Sequence, residues 1–543
     1  MRDVSAPAAV LISLLVLGNT TMAELPKTIA ETSNYRSTSR YDDVIAFVAA
    51  IQREDANVRV ETFATTSEGR ALPLVIAGPA GVVDPRTAHA TGLPIVFIMA
   101  NIHAGEVEGK EAAQMVLRDL VSSSRSLREQ LVVLIAPIYN ADGNEKISAE
   151  NRKTQNGPPN GVGVRENAQG LDLNRDYMKL ETPEARGLIA NVLNRWDPLL
   201  TVDLHTTNGS YHGYALTYSP TLNPDAPAEI IDFERETLLP HIRSRMKEQH
   251  HKETYYYGNF VDQLNPDKGW YTFDSRPRFG NNYVGLRNRF TILSEAYSYI
   301  DFRARIEVTY QFLHEILDAV TKHGRRMQKL ADRADAQIAR GKLRKLGVRF
   351  QIKPWHENVE ILWERAVTAV GGTGTPDPWT EKGAIQRTGK IVPMKMTDYG
   401  IFAPTEKSEV PYAYLIDAAA RDAIRVLLLH GVVVEKLARD TTLDAEQFAI
   451  KGVQRADSAF QGHHETTLVG KWKGGQETFP AGTYVVRMNQ PLARLAFYLL
   501  EPRSDDGLVE WNVFDKLLES KVAPVRRITK ATPIEAVVVN EVH

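Results

Sequence analysis

Five runs of almost uninterrupted apolar residues between residues 72 and 297 constrain the fold of this chain more than any other feature. The runs are LPLVIAG (72–78), LPIVFIMA (93–100), LVVLIAPIY (131–139), LLTVDLH (199–205) and FTILSEAY (290–297). Because polar residues do not occupy alternate positions, the runs are typical of strands covered on both faces. Helix-like segments separate them, at 106–121, 183–195 and 227–247. This alternation predicts an α/β fold, an open and mostly parallel mixed sheet with helices on both faces.

The chain changes character after residue 325. Its 543 residues exceed what one core usually holds, so we expect more than one domain: an α/β domain at 24–325 and a second domain at 347–543. A basic helical stretch at 326–346 is predicted to connect them. Residues 347–543 contain short strand-like pieces and turn-rich loops such as GGTGTPDPW. They predict a smaller β-rich domain, for which the sequence indicates no role.

The N-terminal segment predicts export. An apolar run from Ala8 to Leu17 is followed by polar residues and by Thr-Met-Ala before Glu24, a pattern typical of a secretory signal at 1–23. The run is too short to span a bilayer, and no later segment is long and apolar enough. We therefore expect a secreted or periplasmic protein with no stable membrane span after signal removal. The alternative is a short uncleaved anchor or a buried segment.

Composition excludes several classes of function. The formal net charge is -2 and 24% of residues are charged, so the chain lacks the basic surface that nucleic acid requires. It contains no cysteine, which excludes disulfides, a thiolate nucleophile and thiolate metal ligands. Neither a P-loop nor a Gly-x-Ser-x-Gly elbow is present. Any metal site must therefore use His, Asp and Glu.

Polar side chains follow the predicted strands at the ends where open α/β sheets bind ligands. His103 and Glu106 follow the strand at 93–100, His205 ends the strand at 199–205, and Glu295 lies near the end of the strand at 290–297. Two histidines and one carboxylate are the ligand set of a hydrolytic zinc site. Glu295 could act as base towards a water at that site. Asp203, on the same strand face as His205, is expected to be a satisfied buried acid.

The pattern His-x-x-Glu has little weight by itself. A second copy, His250 and Glu253 in KEQHHKET, follows no predicted strand and lies in a polar, helix-like run. For that copy we expect a solvated helix surface. Only the position after a strand separates the first copy from the second.

An ordered series of motifs resembles the zinc carboxypeptidase family, the metallopeptidases of carboxypeptidase A/B type, over residues 40–325. The matching segments are HAGE (103–106), NADG (140–143), NRKT (151–154), GLDLNRDY (170–177), the strand that ends at His205, and FTILSEAY (290–297). As a set these motifs are specific, although no single one is. The chain is thereby identified as a divergent, bacterial-type member with a C-terminal extension.

The resemblance implies one Zn²⁺ per chain, bound by His103, Glu106 and His205. It further implies that Glu295 is the general base for a zinc-activated water. Arg152 matches the arginine that stabilises the oxyanion, although a solvated arginine is the common case in a loop as polar as AENRKTQNGPPNG.

The resemblance also implies how substrate is held. Asn174 and Arg175 correspond to the pair that binds the terminal carboxylate, and could instead cap the following segment. Asp172 corresponds to the acid that orients His103. Tyr271 is nearest in spacing to the tyrosine that closes over the substrate, and Tyr283 competes with it.

Two departures from the family pattern bear on the substrate. Typical members carry an arginine a little after the His-x-x-Glu, and none follows closely here. Arg278 and Arg287 make the segment expected to form the pocket wall basic, which indicates either an acidic substrate or surface charge. His212 is interpreted as a structural or rim residue.

The predicted function is a zinc-dependent metallopeptidase that hydrolyses peptide bonds, a carboxypeptidase acting on peptides or acyl-amino acids with a free carboxylate. One alternative is a zinc-dependent amidase or deacylase acting on an acyl-amino acid or a cell-wall peptide. The other is a binding module on a degenerate hydrolase fold. Retention of the three ligands and Glu295 argues against that last reading.

Overall fold

The five predicted strands lie side by side at the centre of an eight-stranded sheet in the computed structural model, which describes residues 25–207, 209–369, 375–376 and 384–541. The segment predicted as a secretory signal, 1–23, lies outside the described residues. The α/β fold class is confirmed. The sheet brings the polar strand ends identified above to one edge.

The described residues form 22 strands, numbered in chain order. They are β1 (Arg59–Thr65), β2 (Ala71–Ala77), β3 (Ile95–Ala100), β4 (Val132–Ala136), β5 (Leu200–Thr207), β6 (Leu216–Ser219), β7 (Thr254–Tyr256), β8 (Asn259–Phe260), β9 (Trp270–Tyr271), β10 (Phe290–Tyr297), β11 (Lys345–Lys353), β12 (His356–Thr368), β13 (Thr375–Pro376), β14 (Ala384–Tyr399), β15 (Ile401–Glu409), β16 (Ala413–Ile416), β17 (Val434–Leu437), β18 (Thr441–Arg455), β19 (Thr466–Phe479), β20 (Tyr484–Arg487), β21 (Val522–Ile528) and β22 (Ala536–Val539).

The same residues form 13 α-helices. They are α1 (Ile29–Thr32), α2 (Tyr41–Glu54), α3 (Pro85–Ala90), α4 (Glu108–Leu120), α5 (Arg125–Arg128), α6 (Ala141–Glu145), α7 (Pro183–Gly187), α8 (Ala228–Phe233), α9 (Leu239–His250), α10 (Gly280–Leu286), α11 (Phe302–Ala339), α12 (Arg421–Leu429) and α13 (Ala493–Leu500). Short π-helices at Leu188–Leu193 and Glu234–Leu238 extend α7 and join α8 to α9. Single 3₁₀ turns lie at Leu173–Arg175, Pro266–Lys268 and Asp515–Ser520.

The central sheet has the strand order β1-β2-β4-β3-β5-β10-β6-β7. The neighbours β4–β3, β3–β5, β5–β10 and β6–β7 are parallel, whereas β1–β2, β2–β4 and β10–β6 are antiparallel. The register of β5 and β10 pairs His205 with Glu295. Because parallel strands end at the same edge, this register puts a predicted ligand and the predicted base side by side.

The helix after HAGE packs tightly on the central sheet. All six residues of β3 are buried, as is most of α4, which also packs against α11. A Cβ on Gly109 of α4 would lie 2.7 Å from Cβ of Leu204 in β5. The absence of a side chain at residue 109 therefore lets the helix approach the strand that carries His205.

The second predicted region shares a sheet and a core with the first. Strand β14 pairs with β9 in parallel, Asp398 opposite Trp270 and Tyr399 opposite Tyr271, in a sheet of order β12-β14-β9-β8. One continuous hydrophobic cluster runs from the central sheet into α13. Strands β16 to β22 form a further, seven-stranded sheet of order β19-β18-β21-β16-β20-β17-β22. The segment predicted as a connector is largely the last part of α11, whose Met327, Ala331 and Ile338 are buried.

Within the described part of the chain, none of the helices combines the length and the hydropathy needed to cross a bilayer.

The close approach of α4 to β5 can be tested with Gly109→Ala. Alanine normally stabilises a helix, but here its methyl group meets a Cβ atom that cannot rotate away. We expect the free energy of unfolding to fall by about 1–3 kcal/mol, measured by urea denaturation. Gly475→Ala in β19, where a Cβ would have no atom within 4 Å, is the control and should change it by less. An unchanged or higher stability of Gly109→Ala would contradict the packing described.

Candidate metal centre

The loop between β3 and α4 is shaped to present HAGE at the sheet edge. Asn101 follows β3 with a left-handed φ of 66°, which turns the chain out of the sheet. Its Nδ2 group donates to the carbonyl oxygens of Ala104 (3.4 Å) and Glu106 (3.3 Å), so the loop is fixed from within. His103 and Glu106 are both buried at this point.

Three side chains converge at the edge of the sheet as the sequence predicts. His103 Nδ1 lies 3.0 Å from Glu106 Oε1, His205 Nδ1 lies 3.0 Å from Glu106 Oε2, and the two Nδ1 atoms are 3.3 Å apart. One ligand atom from each residue lies within 4.8 Å of the others. Two imidazole nitrogens and a buried carboxylate directed at one point form a donor set that suits Zn²⁺.

Each histidine is backed by a carboxylate on its other ring nitrogen. Asp172 Oδ1 lies 3.1 Å from Nε2 of His103, and Asp203 Oδ2 lies 2.9 Å from Nε2 of His205. A partner at Nε2 directs Nδ1 towards the metal position. Burial favours a higher pKa for Asp172, but the contacts with His103 and Arg165 outweigh it and hold the pKa well below its usual range. The family resemblance implied this role for Asp172. For Asp203 the sequence predicted only a buried acid with a hydrogen-bond partner.

Two arginines flank the cluster, one predicted and one missed. Arg152 Nη2 lies 3.0 Å from Glu106 Oε1, and its φ of 49° is left-handed. Arg165 Nη1 lies 3.4 Å from His103 Nδ1, and its Nε donates to Asp172 Oδ2 at 2.9 Å. Arg165 follows no motif in the sequence, and only the course of the loop GVGVRENAQG brings it here. It adds a second cation beside the cluster.

A cavity of about 240 Å³ opens over the cluster. The three candidate ligands and Glu295 line it. The other lining residues are Arg165, Asn174, Arg175, Thr206, Thr207, Tyr257, Phe273, Asp274, Phe279 and Leu293. The predicted ligands, base and carboxylate-binding pair therefore share one cavity. Arg152 touches the cluster through Glu106 without lining this cavity.

The surroundings of Glu295 favour the protonated form of its carboxyl group in the absence of metal. Burial raises its pKa to about 8; the neighbouring His205 lowers the pKa, and the carboxylates of Glu106 and Asp203 raise it. A dication bound beside it would act in the opposite direction and favour the ionised form. Such a carboxyl group can exchange a proton near neutral pH.

Asn174 and Arg175 line the same cavity. The backbone N–H of Gly280 donates to Asn174 Oδ1 at 3.0 Å, which fixes the plane of the amide. The Arg175 guanidinium lies over the ring of Phe279, 4.0 Å from its centroid, and donates to the carbonyl of Asn174 at 2.6 Å. A cation held in this way over an aromatic face suits the binding of a carboxylate.

The structure places a different tyrosine in the cavity from the two considered in the sequence. The ring of Tyr271 stacks on Tyr399 with centroids 4.1 Å apart, and the Tyr283 hydroxyl lies 2.8 Å from Nδ1 of buried His430. Neither lines the cavity, whereas Tyr257 does. Burial, and next the charge of Glu295, raises the pKa of Tyr257 to about 12. Tyr257 follows β7, a short strand with no clear pattern in the sequence.

The basic residues expected near the pocket lie elsewhere. Arg278 is buried against Asp506 and Glu510, with its Nε 2.5 Å from Asp506 Oδ1. Arg287 donates to the carbonyl of Leu193 at 3.1 Å. Neither is among the residues that line the cavity, so the inference of an acidic substrate from these two arginines is not supported.

The second His-x-x-Glu straddles the end of a helix, with His250 as the last residue of α9 and Glu253 beyond it, so the prediction of a helix surface holds for the histidine only. His250 ends α9 and its Nε2 lies 2.9 Å from Glu315 Oε1, whereas Glu253 pairs with Lys247 at 2.8 Å. The two residues thus have separate partners. His212 is buried against the ring of Tyr297, 4.2 Å between centroids, which agrees with its structural interpretation.

The proteins to which this chain is similar are described as carboxypeptidases. Residues 44–292 match the profile of a family described as zinc carboxypeptidase. Probable carboxypeptidase 2 of Arthroderma benhamiae is 23% identical over 470 residues, which cover 82% of this chain and 80% of the relative. The catalytic chain of human carboxypeptidase N is 31% identical over 152 residues, 26% of this chain and 31% of that protein. A solved metallo-carboxypeptidase from Burkholderia cenocepacia aligns with a TM-score of 0.40 and 16% identity, covering 53% of this chain and 71% of that one.

Protons and zinc should compete for the cluster. Burial opposes the charged form of His205, but Asp203 and Glu106 outweigh it and raise its pKa well above the usual value. Below that pKa the ring carries a proton that zinc must displace, so zinc affinity rises with pH. We expect the zinc dissociation constant to fall by roughly tenfold per pH unit between pH 6 and 8, measured by competition with a chromophoric chelator.

The matched variant is Asp203→Asn, which removes the largest contribution that raises the pKa of His205. Its pH dependence should be shallower than that of the unmodified protein. A zinc dissociation constant independent of pH in the unmodified protein would be the contrary result.

Proposed function

We propose that this chain, which belongs to the zinc carboxypeptidase family through residues 44–292, releases C-terminal residues from peptides that carry a free carboxylate. One observation carries the proposal: the ligand cluster, Glu295 and the guanidinium of Arg175 all face the same cavity. A hydrolytic centre and a carboxylate-binding cation are thereby available to a single substrate. The names of the relatives, which are carboxypeptidases, agree with it.

His103, Glu106 and His205 would hold one Zn²⁺ per chain, and their donor atoms fit that ion. When bound, zinc lowers the pKa of a coordinated water and polarises a carbonyl group. Asp172 and Asp203 keep the two imidazole rings oriented for this purpose, through contacts of 3.1 and 2.9 Å.

Glu295 moves the proton. As the water oxygen bonds to the scissile carbonyl carbon, the Glu295 carboxylate accepts the proton of the water, and the carbon–nitrogen bond then breaks. The same group delivers that proton to the departing amine nitrogen. Its position opposite His205 in the sheet register puts it beside the ligand cluster, where a bound dication would favour the ionised form that accepts the proton.

Different arginines stabilise the two negatively charged groups of the substrate, its carbonyl oxygen and its terminal carboxylate. We assign stabilisation of the charge on the carbonyl oxygen to Arg165, which lines the cavity 3.4 Å from His103, and to Arg152, which reaches the cluster from outside that cavity through Glu106 at 3.0 Å. Arg175 and Asn174, which also line the cavity, bind the terminal carboxylate. We assign to Tyr257, which lines the cavity, the closing role that the sequence predicted for Tyr271.

We further propose that the protein is exported. With the segment at 1–23 as a secretory signal, the enzyme acts outside the cytoplasm on peptides in the periplasm or the surrounding medium.

The role of Glu295 can be tested with Glu295→Gln, which keeps the shape of the side chain and removes its ability to take a proton. We expect kcat to fall by about 100- to 10,000-fold while the protein still binds one zinc, measured by peptide hydrolysis and by metal analysis. The control is Glu253→Gln, in the second His-x-x-Glu, which should retain full activity. A fully active Glu295→Gln, or an unmodified protein that binds no zinc, would refute the assignment.

The role of Arg175 can be tested with peptide pairs that differ only in a free or an amidated C-terminus. Because a carboxylate can form two charge-assisted bonds with a guanidinium, the free peptide should be cleaved with a kcat/KM at least about 100-fold higher. Arg175→Gln should remove most of that preference. Equal cleavage of both peptides would exclude the exopeptidase function. Preferential hydrolysis of acyl-amino acids would favour the amidase or deacylase alternative.

A further inference from the structure

We infer that Gln461, at the tip of the β18–β19 hairpin, is a positioning residue for the metal centre. It fixes the backbone of Asp172 and through it the ligand His103. The inference rests on the proposed function and gives residues 347–541 a part in it. The side-chain carbonyl Oε1 of Gln461 accepts a hydrogen bond from the backbone N–H of Asp172 at 2.8 Å, across 289 positions of sequence.

The turn that carries Gln461 has an unfavourable residue at its tip. Phe460 and His463 exchange backbone hydrogen bonds of 2.8 and 3.0 Å around Gln461 and Gly462, whose φ angles are 51° and 82°. Two residues with positive φ define a type I′ turn, in which asparagine or glycine is the usual first residue. Glutamine in the left-handed region costs conformational free energy. That cost is consistent with a side chain retained for the contact it makes.

Asp172 is the point at which this contact can influence the site. Its Oδ1 meets His103 Nε2 at 3.1 Å and accepts from the backbone N–H of Asn174 at 2.8 Å, and its Oδ2 accepts from Arg165 Nε at 2.9 Å. A metal ligand and two cavity residues thus depend on where Asp172 lies. Gln461 holds the backbone N–H of Asp172, the residue at the start of the 3₁₀ turn Leu173–Arg175, whose carbonyl accepts from the backbone N–H of Arg175 at 3.0 Å.

Two further contacts hold the hairpin tip against segments that border the cavity. His463 Nε2 lies 2.8 Å from Glu181 Oε1, on the segment that follows Arg175. Glu465 Oε1 lies 2.7 Å from Arg278 Nη1, next to cavity residue Phe279. The tip therefore has anchors independent of Gln461. Removing the Gln461 side chain should leave the hairpin docked and release Asp172 alone.

The test uses the full chain with Gln461→Gly and Gln461→Asn. Glycine and asparagine both suit the left-handed position, and neither can carry an acceptor to Asp172 at the distance that glutamine spans. Ser458→Ala, at an exposed position of the same loop, is the matched control. Zinc release to a chelator, the zinc dissociation constant and the thermal unfolding midpoint of the zinc-free protein are measured for each.

We expect both Gln461 variants to bind zinc about fivefold more weakly and to release it correspondingly faster, the size that loss of one supporting hydrogen bond produces. Their zinc-free unfolding midpoints should equal that of the unmodified protein, and Ser458→Ala should match it throughout. Unchanged zinc binding in both variants overturns the inference. So does a loss of affinity accompanied by a lower midpoint, because Gln461 would then stabilise the fold only. Absence of zinc from the unmodified protein would instead remove the proposed function itself.

Discussion

The carboxylate of Glu106 is the group on which the rest of the site depends. It is buried and contacts His103 and His205 at 3.0 Å each and Arg152 at 3.0 Å. Burial favours a higher pKa, yet these partners hold the pKa of Glu106 well below its usual value. An unpaired carboxylate removed from water would cost several kcal/mol, so the surrounding cations are required for the fold as well as for the chemistry. The sheet edge is stable with a negative charge at its centre only because positive groups, or a metal, surround it.

This balance of charges explains why so many polar side chains are gathered around the small site. Asp172 and Asp203 turn the two imidazole rings inwards, and each carboxylate needs support of its own. Arg165 donates a hydrogen bond to the carboxylate of Asp172. The backbone N–H of Asp172 donates to Gln461, on a hairpin that belongs to a different sheet. A region that looks like a separate domain in the sequence is in this way joined to the site through hydrogen bonds as well as through a shared core.

The sequence predicted the parts of the structure that obey local periodicity. The five buried strands are recognisable because burial on both faces leaves a continuous apolar run, and the ligands are recognisable because they end such strands. Arg165, Asp203, Tyr257 and Gln461 were missed or undervalued for a common reason. Their positions depend on the course of loops and on contacts between distant segments, and an arginine in a polar loop looks the same whether it is solvated or paired. The strands β6 and β7, which follow β10 in the sheet order, were also missed, since they have only four and three residues.

The two residues between His103 and Glu106 show what separates a functional His-x-x-Glu from a fortuitous one. A Cβ on Gly105 would lie 2.6 Å from Arg152 Nε and 2.9 Å from the carbonyl oxygen of Gly163. The glycine therefore creates the space through which an arginine reaches Glu106. In the second copy the corresponding residues are His251 and Lys252, and its histidine and glutamate pair with different neighbours. A functional motif therefore needs free space between its histidine and glutamate as well as those two residues. Bulky residues would fill that space, and a pattern restricted to His and Glu does not describe it.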